Sequence, residues 1–138
     1  MTLDLPGVPA RITPESEPFW AAGVDGELTV ERCPDCGLHQ FPPRGVCRAC
    51  HGREPRFVPV RPPGVVHSMT VNRNAWYPDG PAEFPLVLVE FPAFSGVRFV
   101  GRYDGAEPPG FGAEVGFRLV PALGDRFQVV FHAWDGRS

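Results

Sequence analysis

Four cysteines, the only ones in 138 residues, fall as two Cys-x-x-Cys pairs: Cys33-Pro34-Asp35-Cys36 and Cys47-Arg48-Ala49-Cys50. No other feature restricts the fold so tightly. Each pair can close a tight knuckle that aims two sulfurs at one point. Two facing knuckles then present four thiolates as a tetrahedron, the donor set of a closed structural zinc site. Gly37 and Gly52 follow the pairs, where a residue free to take positive φ is expected to relieve the turn. Ten residues separate Cys36 from Cys47, enough for a short hairpin through Phe41 and Pro42-Pro43.

The expected cofactor is one structural Zn²⁺ per chain, held by Cys33, Cys36, Cys47 and Cys50. Iron is the lesser alternative, because Cys-Pro-Asp-Cys-Gly resembles a rubredoxin knuckle with the same four sulfurs. Two disulfides would require an oxidising compartment, and nothing at the N-terminus reads as an export signal. A reducing, cytoplasmic setting is the expectation. His39 and His51 are near enough to compete as ligands but are expected to be exposed or to lie behind the sulfurs. A site filled by sulfur has no open coordination position, so it reads as structural rather than catalytic.

Sixteen glycines and eighteen prolines favour short strands and turns over long helices. The net charge of −3 gives no general attraction to nucleic acid or an anionic membrane. Every basic residue is arginine, which suits bidentate contacts with phosphate or carboxylate. The longest apolar run, Phe84 to Phe91, contains Glu90 and is too short to span a bilayer.

Residues 1–27 read as an extended arm and a short helix, with Thr13 as cap, Pro14 in the first position and Gly23 as the stop. Phe19 and Trp20 on that helix either cover the metal lobe or dock on another protein. Residues 28–58 read as a zinc ribbon entered by a strand with Leu28 and Val30 inward and Thr29 and Glu31 outward. So small a lobe needs its metal to fold.

From residue 59 to 138 the pattern is of period-2 strands. Val65, His67, Met69 and Val71 share a face of the first, and Leu86 to Val89 is apolar on both faces of the second. Val97, Phe99 and Gly101, then Val115, Phe117 and Leu119, then Phe127, Val129, Phe131 and Ala133 point inward from the other three. The fold class is thus mainly β: a short N-terminal helix, a four-cysteine zinc ribbon and a five-stranded OB-fold barrel, with a small sandwich as the alternative. A loop bearing Arg73, Trp76 and Tyr77 suits stacking on a flat base, or packing on the barrel rim.

No nucleophile pairs with a base. The cysteines are committed to metal, and His67 and Ser68 are strand neighbours expected on opposite faces. No Gly-x-Ser-x-Gly, phosphate loop, dinucleotide fingerprint or His-Glu-x-x-His occurs. The chain is expected to have no catalytic residues of its own.

In order, Phe19-Trp20, Gly26-Glu27-Leu28, Arg32 to Gly37, Pro42-Pro43-Arg44, Cys47 to Cys50 and Gly64 to Val71 form a series that resembles the domain of unknown function 35 family. The resemblance covers nearly all of the chain from about residue 15. It departs at Arg61-Pro62-Pro63-Gly64, where a Ser-Gly or Gly-x-Gly entry to the barrel is common. The resemblance implies a rubredoxin-like zinc ribbon before an acyl-CoA-associated OB-fold. It also implies an accessory subunit of thiolase-superfamily enzymes (thiolases, acyltransferases, steroid side-chain aldolases) or of hotdog-fold enoyl-CoA hydratases. Such a partner carries the catalytic residues and holds most of the acyl-CoA, and this chain supports the complex or shapes the acyl-CoA channel. The expected assembly is a hetero-oligomer.

Phe19, Trp20, Phe57 and Phe111 are candidates for docking. Arg44, Arg48 and Arg53, with Arg56 and Arg61, could meet an acidic partner or the phosphates of coenzyme A. Arg73, Trp76 and Tyr77 are further candidate contacts. The competing reading is single-stranded nucleic-acid binding along the same arginines and aromatics; the net charge speaks against it.

Overall fold

A computed structural model describes residues 10–75 and 80–137. Among them are one α-helix, α1 (Glu17–Val24), and eight strands. Three short strands, β1 (Thr29–Arg32), β2 (His39–Gln40) and β3 (Arg56–Pro59), form an antiparallel sheet with β1 in the middle. The other five are β4 (Gly64–Asn72), β5 (Phe84–Phe91), β6 (Val97–Tyr103), β7 (Glu114–Pro121) and β8 (Phe127–Ala133). They close into a barrel in the order β4-β5-β6-β8-β7, with β7 returning to β4 and β6 parallel to β8. This is the expected five-stranded OB-fold.

Helix α1 begins later than expected. Thr13 and Ser16 bond each other's backbone and side chains in a turn, and the helix itself starts at Glu17 with Pro18 in its first turn. Nor does Gly23 stop it. Gly23 is buried inside the helix, where a Cβ would lie 1.8 Å from Phe127 Cε1. Only a residue without a side chain lets α1 lie this close to β8.

Assignments in three strands need correction. Glu31 does not point outward; it is 1% exposed, and Thr29 is also buried. The loop through Arg44 and Gly45 donates its N–H groups to the Glu31 carboxylate, which is thereby paired internally. In β4 it is Val66, not Val65, that is buried in the core, and the ladder shifts between Val66 and Ser68, a bulge at which His67 is exposed. Both His67 and Ser68 are exposed there, and His67 Nδ1 lies 3.6 Å from Glu90 Oε2. In β5 only Pro85, Val87, Val89 and Phe91 are fully buried, so the second strand has one covered face and one half-exposed face.

One core runs through both lobes. Phe19, Leu28, Val30 and Val60 from the N-terminal half pack in the same cluster as Val87, Val89, Phe91, Phe99 and Phe131 from the barrel. Phe41 bridges them, with ring centroids 5.2 Å from Phe19 and 4.2 Å from Phe99. Each fully buried Leu, Val or Phe side chain stabilises the fold by about 1.5–3 kcal/mol relative to exposure, and Leu28 and Val30 belong to this shared cluster, so the ribbon contributes to the barrel's stability as well as its own.

Candidate metal centre and adjoining pockets

The two knuckles repeat one hydrogen-bond pattern. Gly37 N–H donates to Cys33 C=O at 2.8 Å, and His51 N–H donates to Cys47 C=O at 3.0 Å. The next residue closes each loop: Cys33 N–H donates to Leu38 C=O and Cys47 N–H to Gly52 C=O. The fourth residue after each leading cysteine is therefore left-handed, Gly37 at φ 80° and His51 at φ 64°. His51, not Gly52, takes the positive φ in the second knuckle. Gly52 is small for a different reason: a Cβ there would meet Asp35 Oδ2 at 2.8 Å and Cys33 Sγ at 3.2 Å.

The four sulfurs converge, all within 4.8 Å of one another. Cys33 and Cys50 are 3.4 Å apart at sulfur, and Cys36 and Cys47 are 3.6 Å apart. A zinc ion with Zn–S of about 2.3 Å in a tetrahedron needs S···S of about 3.8 Å, whereas a disulfide needs about 2.0 Å. The spacing fits an ion at the centre and not two disulfides. Protons divide unevenly among the metal-free sulfurs. Donation from the Cys50 N–H, then the Ala49 N–H, holds the Cys47 thiol down to about 6. At Cys50 the Gly52 N–H favours the thiolate, but the Cys33 sulfur and burial outweigh it and push the thiol up to about 12. Four thiolates cannot crowd together without a cation to offset their charge.

Behind the second knuckle, Glu31 and Gln40 form a brace. Glu31 accepts the N–H groups of Arg44 at 2.7 Å and Gly45 at 3.0 Å, and Gln40 Nε2 at 2.9 Å. Gln40 also donates to Val46 C=O at 2.8 Å and accepts Arg48 N–H at 3.0 Å. Six backbone and side-chain groups are thus tied around the approach to Cys47, which sets the loop that carries Arg44 and Arg48.

Those two arginines reach one place. A pocket of about 270 Å³ between ribbon and barrel is lined by Arg44, Arg48 and Arg98, with His39 and Ser95. A polar link crosses it between the lobes: His39 N–H donates to Ser95 Oγ at 3.4 Å and His39 Nδ1 lies 3.3 Å from the same oxygen. Among the described residues no carboxylate lines it, although Arg98 also reaches Glu90 Oε1 at 3.7 Å. Arg98 was not singled out from sequence, although its outward place between Val97 and Phe99 was visible.

The other candidates scatter. Arg53 is exposed and apart from this pocket. Arg73 pairs with Glu83 at 3.2 Å, both exposed. Trp76 and Tyr77 lie outside the described residues. Phe19 is buried in the core rather than open to a partner, whereas Trp20 is half-buried beside a second, apolar groove. Phe111 is 73% exposed.

Residues 20–56 match the family model described as ChsH2, rubredoxin-like zinc ribbon domain. Two solved structures share the fold of the whole chain. A chain of the "Ltp2-ChsH2(DUF35) aldolase" superposes with a TM-score of 0.80 at 23% identity, covering 91% of this chain and 98% of that one. A DUF35-family protein of unknown function from Sulfolobus solfataricus superposes at 0.62 with 20% identity, covering 88% and 86%. The chain has a ChsH2-type zinc ribbon on a DUF35 fold. No curated protein matches it in sequence. In this DUF35 fold the ribbon is a four-cysteine metal-binding unit, and among the described residues no helix is long and apolar enough to cross a membrane.

Proposed function

We propose that this chain is a non-catalytic accessory subunit of a thiolase-superfamily acyl-CoA enzyme, with a structural zinc on Cys33, Cys36, Cys47 and Cys50. The observation that carries the reading is the likeness, across nearly the full length of both chains, to a chain of the Ltp2-ChsH2(DUF35) aldolase. The donor set supports zinc: four sulfurs at tetrahedral spacing are soft ligands that leave no position for substrate. The metal holds the ribbon's shape, and the ribbon presents Arg44 and Arg48 beside Arg98 of the barrel. That trio would meet either an acidic surface of the partner or the phosphates of coenzyme A bound mainly by the partner, at the mouth of an acyl-CoA channel.

The test is a tagged pull-down from native extract with the co-purifying proteins identified by mass spectrometry, followed by acyl-CoA turnover of the partner with and without this chain. A stoichiometric thiolase-superfamily protein whose turnover depends on the chain supports the reading. A hotdog-fold hydratase would move the subunit to a different enzyme class. Nucleic acid alone in the eluate would overturn the reading.

A further inference from the structure

The barrel is not hydrogen-bonded along its whole circumference. Strands β6 and β8 pair only at Arg102 with Val130 and Tyr103 with Phe131, extended by Asp104 N–H to Phe131 C=O at 2.8 Å. Their backbones still touch at the preceding position, where a Cβ on Gly101 would lie 2.5 Å from the Val129 carbonyl oxygen. From there back, Val97–Val100 and Phe127–Gln128 form no ladder with each other. Each is paired on its other side, β6 to β5 and β8 to β7, so along this stretch neither strand is paired with the other; Phe41 packs on Phe99 and the α1 rings of Phe19 and Trp20 pack on Phe127, which leaves Val100 and Gln128 to line the gap.

The gap is a groove of about 600 Å³ lined by Trp20, Phe41, Leu86, Val100 and Val129. Val100 is 67% exposed, unusual for an apolar strand residue facing water. The lining includes Arg98, which also reaches Glu90 Oε1 at 3.7 Å, and Arg102, and among the described residues no carboxylate belongs to it. At Phe41 and Arg98 it runs on into the pocket of Arg44 and Arg48. Strand edges without a ladder between them, an apolar floor and a cationic rim are the three things that an added β-strand uses: main-chain pairing for affinity, and alternate side chains and end charges for selection.

We propose that the β6–β8 seam receives an extended segment of a partner protein, apolar toward the groove and acidic at its ends. A small apolar molecule would fill the floor but leave the facing strand edges without a ladder, which is why the strand is the better fit. The accessory-subunit reading supplies the existence of a partner; the seam can be tested without one.

The experiment uses the full-length, metal-loaded, ¹⁵N-labelled chain and capped peptides of about eight residues alternating valine and threonine. One has glutamates at both ends, a second has lysines there, and a third has the glutamates and a central proline. The acidic peptide should shift the amides of Val97–Val100 and Phe127–Val129 saturably and slow their hydrogen exchange. The lysine version should bind at least about tenfold more weakly, and the proline version should lose the protection because proline donates nothing to a ladder. Val100→Glu, at an exposed site, should leave Tm unchanged and weaken the acidic peptide by about tenfold or more. Seam amides that do not move at about 1 mM peptide overturn the proposal. So do equal binding of acidic and basic peptides, indifference to Val100→Glu, or the same amides responding to decanoate and to no peptide. A failed pull-down with positive peptide binding would remove the thiolase reading and leave the seam standing.

Discussion

Glu31 Oε1 accepts the side-chain amide of Gln40 at 2.9 Å, with both residues buried on neighbouring strands of the ribbon. The pair fixes the backbone of Arg44, Gly45 and Arg48 through three further N–H donations. Glu31→Ala would strand several buried donors at once. We expect a loss of about 3 kcal/mol of stability, read by urea unfolding of the metal-loaded protein. A loss under about 0.5 kcal/mol would mean that water replaces the carboxylate and the brace is dispensable.

Gly23→Ala is ordinarily a stabilising change inside a helix, by roughly 0.5–1 kcal/mol. Here the added methyl would occupy space held by the Phe127 ring. The sign should reverse, to a loss of about 1–3 kcal/mol from overpacking, seen as a lower Tm. Combining it with Phe127→Leu should restore part of the loss.

Metal binding should release protons at pH 7. The Cys50 thiol, pushed up to about 12, and the Cys36 thiol, also raised, must both ionise to become ligands. Calorimetry of zinc binding in buffers of differing ionisation enthalpy reads the number directly. Cys36→Ser or chelation should lower the Tm of the whole chain, not the ribbon alone, by about 10 °C or more. An unchanged barrel transition would show that the lobes fold independently.

Burial, and then the nearby Arg32 charge, lower the pKa of His39 from its ordinary 6.5. A histidine depressed on folding favours the folded state in its neutral form. Its contribution is complete above pH 6.5 and is lost as pH falls through the lower folded value. Tm of the zinc-saturated protein should therefore drop from pH 7.5 to 5.5 more steeply than that of His39→Gln, roughly as one titrating group requires. Parallel curves would exclude His39 as the source.

The ribbon was legible because Cys-x-x-Cys spacing and thiolate chemistry leave few alternatives, and the barrel because alternation at Val97–Gly101 and Phe127–Phe131 sets the inner face. What was not legible needed a third dimension. Alternation placed Glu31 outside, since nothing local says that β1 is a central strand whose carboxylate meets N–H donors from the next loop. The bulge at His67 shifts a register that a period-2 pattern assumes constant. The cationic pocket joins Arg98 to Arg44 and Arg48 across a lobe boundary, where the His39–Ser95 contact and the Phe41–Phe99 and His39–Phe94 ring contacts bring those segments together.

Phe41 sits on the ribbon side of the chain yet stacks 4.2 Å from Phe99 of the barrel. A gene trimmed to either half would therefore encode a piece with a torn hydrophobic face. On the proposed structural-zinc reading, loss of the metal would reach past the ribbon into the barrel through this contact, so supply of one ion would set how much of the whole subunit persists.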